Sequence, residues 1–440
     1  MNVYYGEETK RSVANFPFSV HHVHLELIYA IAEIKKAAAV ANLADRGISK
    51  EISEAIVAAG EEILSKKLDD QFVTPALQGG AGTSINMNVC EVLAGRATEL
   101  LSEKGLSTTV HPLDHVNKSQ STNDVNPSAL KIASLRLLRQ LISAVEKLQA
   151  ALEKKSKEFQ PIVKLARTHL QDAVPMTLGD EFGSYAAIVG RQLRYLKDIE
   201  PYLLELNLGG TAIGNSINAS ETYRKVIYGE LSNNTGLPLE PAENFMSQTS
   251  SQADFVALSH ALVAYFVDIS KIANDIRMMA SGPKGGFAEL KLPEMQKGST
   301  IMPGKVNPVI PEVVNQTYYL VSGYSVTVTM AARAAQFELA NMLPVVADVL
   351  ITALKITREA TELFTNKCIA VVEANEENCR KHLEESTAYA TLLTPRLGYD
   401  TVSAIVKESI KTGKTLRELV LEKKMLTEKE FDAIVKSIER

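Results

Sequence analysis

The stretch Gly298-Ser299-Thr300-Ile301-Met302-Pro303-Gly304-Lys305-Val306-Asn307-Pro308 gathers two hydroxyls, a cation and a carboxamide between two glycines and a closing proline. No packing requirement asks for that mixture. Gly298 and Gly304 free the backbone to bend, while Pro308 fits the first turn of a helix with Asn307 as its N-cap. The segment reads as a mobile loop docked on a helix start and carrying Ser299, Thr300, Lys305 and Asn307. Loops held by a rigid scaffold are where catalysis concentrates. Asn307 meets a conflict there, because a side chain that caps a helix has fewer atoms left for a ligand.

Three further polar segments have the same character: Gly79-Gly80-Ala81-Gly82-Thr83-Ser84-Ile85-Asn86-Met87-Asn88, His115-Val116-Asn117-Lys118-Ser119-Gln120-Ser121-Thr122-Asn123-Asp124, and Arg167-Thr168-His169-Leu170-Gln171-Asp172-Ala173-Val174-Pro175. Thr83-Ser84, Ser121-Thr122-Asn123 and Asn307 each stand just before a predicted helix. Helix N-termini offer unpaired N–H groups and partial positive charge, so several of them together suit a small dianion with two carboxylates. Taken singly, each is most simply a helix cap. His21, His22 and His24 form a denser histidine cluster in a Val/Leu-flanked stretch with no partner cysteine or acidic ligand assigned to it. In that context the cluster is read as a surface turn rather than a metal site.

The elements that must position these residues are helical. Apolar residues recur at helical spacing over Leu25 to Asn42 and Met87 to Leu101. Asn126-Pro127 reads as another cap-then-proline start, and neither proline nor glycine follows until Pro161, which predicts one helix of roughly thirty residues. Further long helices are predicted over about Thr177 to Leu206 and Ser250 to Met279, with an apolar region from Pro308 to about Val372 broken near Gly323 and Pro344. The Ser250–Met279 stretch is apolar on most sides and must be buried on most sides. No alternating strand pattern stands out. After Ala374 the chain turns polar and ends in short helices, one opened by Thr427-x-x-Glu430, which resembles half of a capping box. The expected fold is all-α and mainly helical, with an N-terminal segment 1–112, a central long-helix bundle 113–373 and a small C-terminal helical segment 374–440.

Composition narrows the function. The 440 residues are too many for one simple core. The net charge of −5 is spread along the chain with no basic block for nucleic acid. Three scattered cysteines, Cys90, Cys368 and Cys379, point to a reducing compartment. No run of 18 apolar residues occurs, and Met1 to Arg11 lacks an apolar signal core. A soluble, cytoplasmic protein is expected, without a membrane or nucleic-acid partner.

The four polar segments, in this order, resemble the shared segments of the fumarase/aspartase superfamily, and the similarity runs from about Tyr4 to the C-terminus. The resemblance implies a three-domain fold with a long central helix bundle and a homotetramer whose active sites are shared between subunits. It implies that Ser299 acts as an alkoxide and removes a proton next to a carboxylate. The resulting enediolate is stabilised by aimed donors, and the leaving group departs from the adjacent carbon to give fumarate. No organic cofactor is required, and activation by a divalent metal is not readable from the residues.

The wording Gly80-Ala81-Gly82-Thr83-Ser84, Ser121-Thr122-Asn123 and Pro308-Val309-Ile310-Pro311-Glu312 is similar to the aspartase branch. On that resemblance Thr122, Asn123 and His169 lie near the ammonium end of L-aspartate. Thr83, Ser121, Thr168, Thr300, Lys305 and Asn307 hold carboxylates, with Lys305 also tuning Ser299, and Glu312 pairs with His169. Thr300, Leu113 and Cys90 depart from the usual family residues. Fumarate hydration to malate, elimination from a substituted aspartate, and an inactive structural relative are the alternatives. Retention of Ser299, Lys305, Asn307 and His169 weighs against the last of these.

Overall fold

The structure, a computed structural model, describes residues 2–438. It divides into two compact units. One comprises Met1–Ile142, Tyr195–Val263 and Tyr319–Thr357; the other comprises Ser143–Arg194, Ala264–Tyr318 and Arg358–Arg440. The boundaries fall inside long helices rather than in linkers.

The long helices are Leu25–Ala44, Thr83–Glu103, Thr122–Phe159, Leu178–Lys197, Ala253–Met279, Val309–Arg333 and Leu343–Phe364. In the first unit, Leu25–Ala44 packs on Lys50–Leu64 and Glu221–Thr235. Its run of alanines and isoleucines is buried almost throughout, which suits a helix without a polar face. Among the described residues, Ala253–Met279 is the one helix long and apolar enough to cross a membrane by length and composition, and half of that window is buried inside the protein.

Two helix boundaries differ from expectation, each for a local reason. The helix expected to start at Asn126-Pro127 starts at Thr122 and spans 38 residues, with Pro127 inside it. Pro127 cannot donate to the carbonyl of Asn123. That carbonyl instead accepts Asn207 Nδ2 at 3.1 Å, so the missing donor is replaced. Gly323 makes no break in Val309–Arg333, whereas the break expected near Pro344 is present: the next helix starts at Leu343, with Pro344 in its first turn, where proline is tolerated. The capping box at Thr427 and Glu430 is complete, and a second stands at Thr415 and Glu418.

One element was not expected at all. Val163–Thr168 and Gln171–Thr177 form an antiparallel hairpin with Thr168 opposite Gln171, leaving His169-Leu170 as a two-residue turn. Both turn residues have positive φ, 56° and 59°. Such turns normally carry Asn-Gly, because a side chain in the left-handed region costs about 1–2 kcal/mol. The hairpin is held in place from below. Leu165 packs into a core built by the C-terminal helices, with Leu383, Tyr389, Leu393, Leu416, Val420 and Phe431. The strained tip is thus imposed by tertiary packing. Leu170 is 65% exposed and buries little, so Leu170→Gly is expected to raise stability by about 0.5–1 kcal/mol, read as an upward shift of the thermal midpoint. An unchanged or lower midpoint would contradict the strain.

Candidate active site

The loop 298–308 is closed by its own atoms. Asn307 Nδ2 donates to the Gly298 carbonyl at 2.8 Å. A Cβ on Gly298 would lie 1.8 Å from the Lys305 carbonyl oxygen, so only glycine permits this closure. Asn307 therefore fastens the loop through one amide N–H instead of capping the following helix through its side chain, and its second N–H is the one left for a ligand. Inside the closure, Ser299 Oγ accepts the main-chain N–H of Ile301 at 3.2 Å and of Met302 at 3.0 Å. Two amides aimed at one hydroxyl oxygen favour its anionic form. Lys305 and Thr300 are exposed on the same loop. Lys305 and Asn307 line a recess of about 230 Å³ together with Leu290, Lys291, Pro308 and Asn375.

Thr168 and His169 occupy the hairpin tip. The strand beneath them is anchored by the fully buried Glu289, whose Oε1 takes Arg167 at 2.7 Å and His382 Nδ1 at 3.0 Å, while Lys164 lies 3.3 Å from Oε2. Arg167 also covers the Phe287 ring at 4.2 Å. Glu312 sits in the first turn of Val309–Arg333, its N–H on the Pro308 carbonyl at 3.1 Å. His169 is exposed at the turn and Glu312 half-buried on its helix, and among the described residues no hydrogen bond or ion pair joins them.

The other candidates belong to the first unit. Gly80, Ala81 and Gly82 all have positive φ, and Asn126 Nδ2 donates to the Gly82 carbonyl at 2.8 Å. That bond draws the Thr83 segment to the Ser121–Asn126 segment. A Cβ at Gly82 would meet Asn126 Nδ2 at 2.3 Å. Thr83 Oγ1 donates to the Gly80 carbonyl at 2.8 Å. Ser121 Oγ accepts the Asn123 N–H at 3.2 Å, and Asn123 Nδ2 donates to the Ala212 carbonyl at 2.7 Å. Thr122 and Asn123 line a recess with Ala81, Gln248, Gln252 and Leu343.

Two positioning residues escaped the sequence reading. Asp124 is fully buried; its Oδ1 accepts the Ser121 N–H at 2.9 Å and its Oδ2 accepts those of Gly209 and Thr211, both at 3.0 Å. Burial pushes its carboxyl up to about 6 despite the three amides. Lys131 donates to the Tyr202 and Glu205 carbonyls, Gln248 and Asp254 at 2.6–2.9 Å. A charge at a helix position facing the core was the available signal for both. Conversely, part of the second polar segment fastens the fold. Buried Lys35 donates to Asn117 Oδ1 at 2.8 Å and to Gln120 Oε1 at 3.0 Å.

The histidine cluster is not without an acidic partner, contrary to what its sequence context suggests. His21 and His24 do have an acidic neighbour, Asp348, 327 and 324 residues further along the chain.

A family model described as lyase matches residues 1–323, and one described as the fumarase C C-terminus matches residues 390–439. The chain is 42% identical to an aspartate ammonia-lyase of Bacillus subtilis over 439 residues, covering 100% of this chain and 92% of that protein. It is 43% identical to one of Helicobacter pylori, covering 99% and 93%. Among solved structures, a fumarate lyase:delta crystallin of Brucella melitensis bound to cobalt superposes with a TM-score of 0.95 at 41% identity, covering 100% and 96%. The class II fumarase of Schistosoma mansoni gives 0.93 at 33% identity over the same shares.

Proposed function

The chain belongs to the fumarase/aspartase family of lyases, and on that premise we propose that it is an aspartate ammonia-lyase, eliminating ammonia reversibly from L-aspartate to give fumarate. The observation that carries the chemistry is the pair of main-chain amides aimed at Ser299 Oγ inside a loop closed by Gly298 and Asn307. In this reading Ser299, as the alkoxide, takes the proton from Cβ. The electrons left behind spread into the neighbouring carboxylate as an enediolate. They return to form the Cα–Cβ double bond as the C–N bond breaks and ammonia leaves. Lys305, Asn307, Thr300, Thr168, Thr83 and Ser121 hold the carboxylates. Thr122, Asn123 and His169 face the amino group, with Glu312 orienting His169.

These residues lie on separate segments of one chain, and the loop itself is open to solvent, with Ile301 83% and Met302 47% exposed. An alkoxide base needs water excluded. Both facts support a homotetramer in which the segments of different subunits complete each site and cover the loop. A cytoplasmic enzyme of three segments, 1–112, 113–373 and 374–440, without an organic cofactor, fits the same reading.

The test is fumarate absorbance in the ultraviolet with purified protein and either L-aspartate or L-malate. Fumarate from aspartate alone is the expected result. Fumarate from malate alone would make the chain a fumarase and overturn the assignment.

A further inference from the structure

The first unit contains a second cluster of chemistry-bearing side chains that the elimination does not use. His21 Nε2 lies 2.6 Å and His24 Nε2 3.1 Å from the same oxygen, Asp348 Oδ1. The ligand-capable atoms of the three residues all fall within 4.8 Å of one another. We propose that His21, His24 and Asp348 bind one divalent transition-metal ion of the Zn²⁺ or Co²⁺ class, which clasps the segment before helix Leu25–Ala44 to helix Leu343–Phe364.

The backbone prepares both sides of the site. His22 pairs with Pro75 in an isolated antiparallel bridge, the His21 carbonyl accepts the Ala76 N–H at 3.0 Å, and the Val23 N–H reaches the Thr74 carbonyl at 3.1 Å. This short extended pairing fixes the chain on which His21 and His24 stand. His24 is the N-cap residue of helix Leu25–Ala44, yet its side chain makes no capping bond and turns to the other helix. There Nε2 also lies 3.1 Å from Thr352 Oγ1, one turn beyond Asp348. The nearest cation along that helix, Lys355, is already paired with Glu26 at 2.8 Å. The side chains of His24 and Asp348 are 16% and 23% exposed and that of His21 is 57% exposed, so the cluster opens to solvent on the His21 side.

Donor chemistry selects the ion. Two imidazole nitrogens with one carboxylate suit borderline transition metals, whereas Mg²⁺ and Ca²⁺ favour oxygen ligands. Three protein ligands with an open side leave room for water in a fourth position. Metal–ligand bonds of about 2.0–2.2 Å place tetrahedral ligand atoms about 3.3 Å apart. The His24–Asp348 separation is close to that, and exposed His21 must draw back by about 0.7 Å from its 2.6 Å hydrogen bond.

The test uses untagged full-length protein stripped with a chelator, dialysed, and titrated with Zn²⁺ by calorimetry and with Co²⁺ by visible absorption. One ion per chain is expected, with d–d bands from the Co²⁺ form. Asp348→Asn, which keeps size and shape, is expected to weaken binding at least about tenfold, as is His21→Ala at its exposed position. His22→Ala, in the same sequence but outside the cluster, should bind as the wild type does. Absence of binding by the wild type would leave a hydrogen-bonded clasp and overturn the proposal. So would Asp348→Asn and His21→Ala variants that bind as tightly as the wild type.

Discussion

Ser299→Ala is expected to lower kcat by about 10³-fold, with little change in KM or in the thermal midpoint. General-base catalysis contributes about 10²–10⁴-fold, and the alanine variant removes the only atom on which the Ile301 and Met302 amides converge. The loop survives the change, since its closure rests on Asn307 and Gly298 rather than on the serine. Steady-state kinetics in the elimination direction, with a melting curve alongside, separate loss of the base from loss of the fold. Turnover within tenfold of wild type would remove Ser299 from that role.

Glu289→Gln should be the most destabilising single change of comparable size, by about 3 kcal/mol. Glutamine preserves the shape but takes the negative charge from Arg167 and Lys164, and breaking a buried pair from one side costs about 3–5 kcal/mol. Lys164 keeps its contact with Glu181, which places the estimate at the lower end. Burial alone would raise the Glu289 carboxyl, but the Arg167 hydrogen bond, the Lys164 charge and the His382 contact outweigh it and hold the group below 4.5. A depressed folded value contributes stability that is present above the unfolded value of about 4.5 and lost as pH falls through the folded one. The wild type should therefore lose stability on acidification below about pH 4.5, and Glu289→Gln should lack that component. Denaturant midpoints measured across pH check both the size and the sign. Since Glu289 anchors the strand beneath Thr168 and His169, the variant should also lose activity.

Much of the helical framework was legible because its causes are local. The freedom from proline and glycine between Pro127 and Pro161 marks the long helix, and Thr427 with Glu430 marks the start of a short one through bonds three residues apart. The hairpin was missed for an equally physical reason. Its turn residues, His169 and Leu170, are poor choices for a left-handed turn, and its strands do not alternate cleanly in burial. The strand pairing is imposed by the C-terminal helices and by Glu289, more than a hundred residues away.

The sequence by itself determined the helical class, the glycine-flanked loop and the set of polar segments. Helix periodicity, caps and the company of Ser299, Lys305 and Asn307 are properties of neighbouring residues. Only the tertiary structure decided what those segments do with their atoms. It assigned Asn307 to closing the loop, Asn117 and Gln120 to buried Lys35, and Asp124 to the amides of Gly209 and Thr211. It also brought Asp348 to His21 and His24. A hydrogen bond or ion pair between residues far apart in the chain leaves no periodic trace. It forms only because the packed helices bring both partners to one place and leave buried polar groups to be satisfied there.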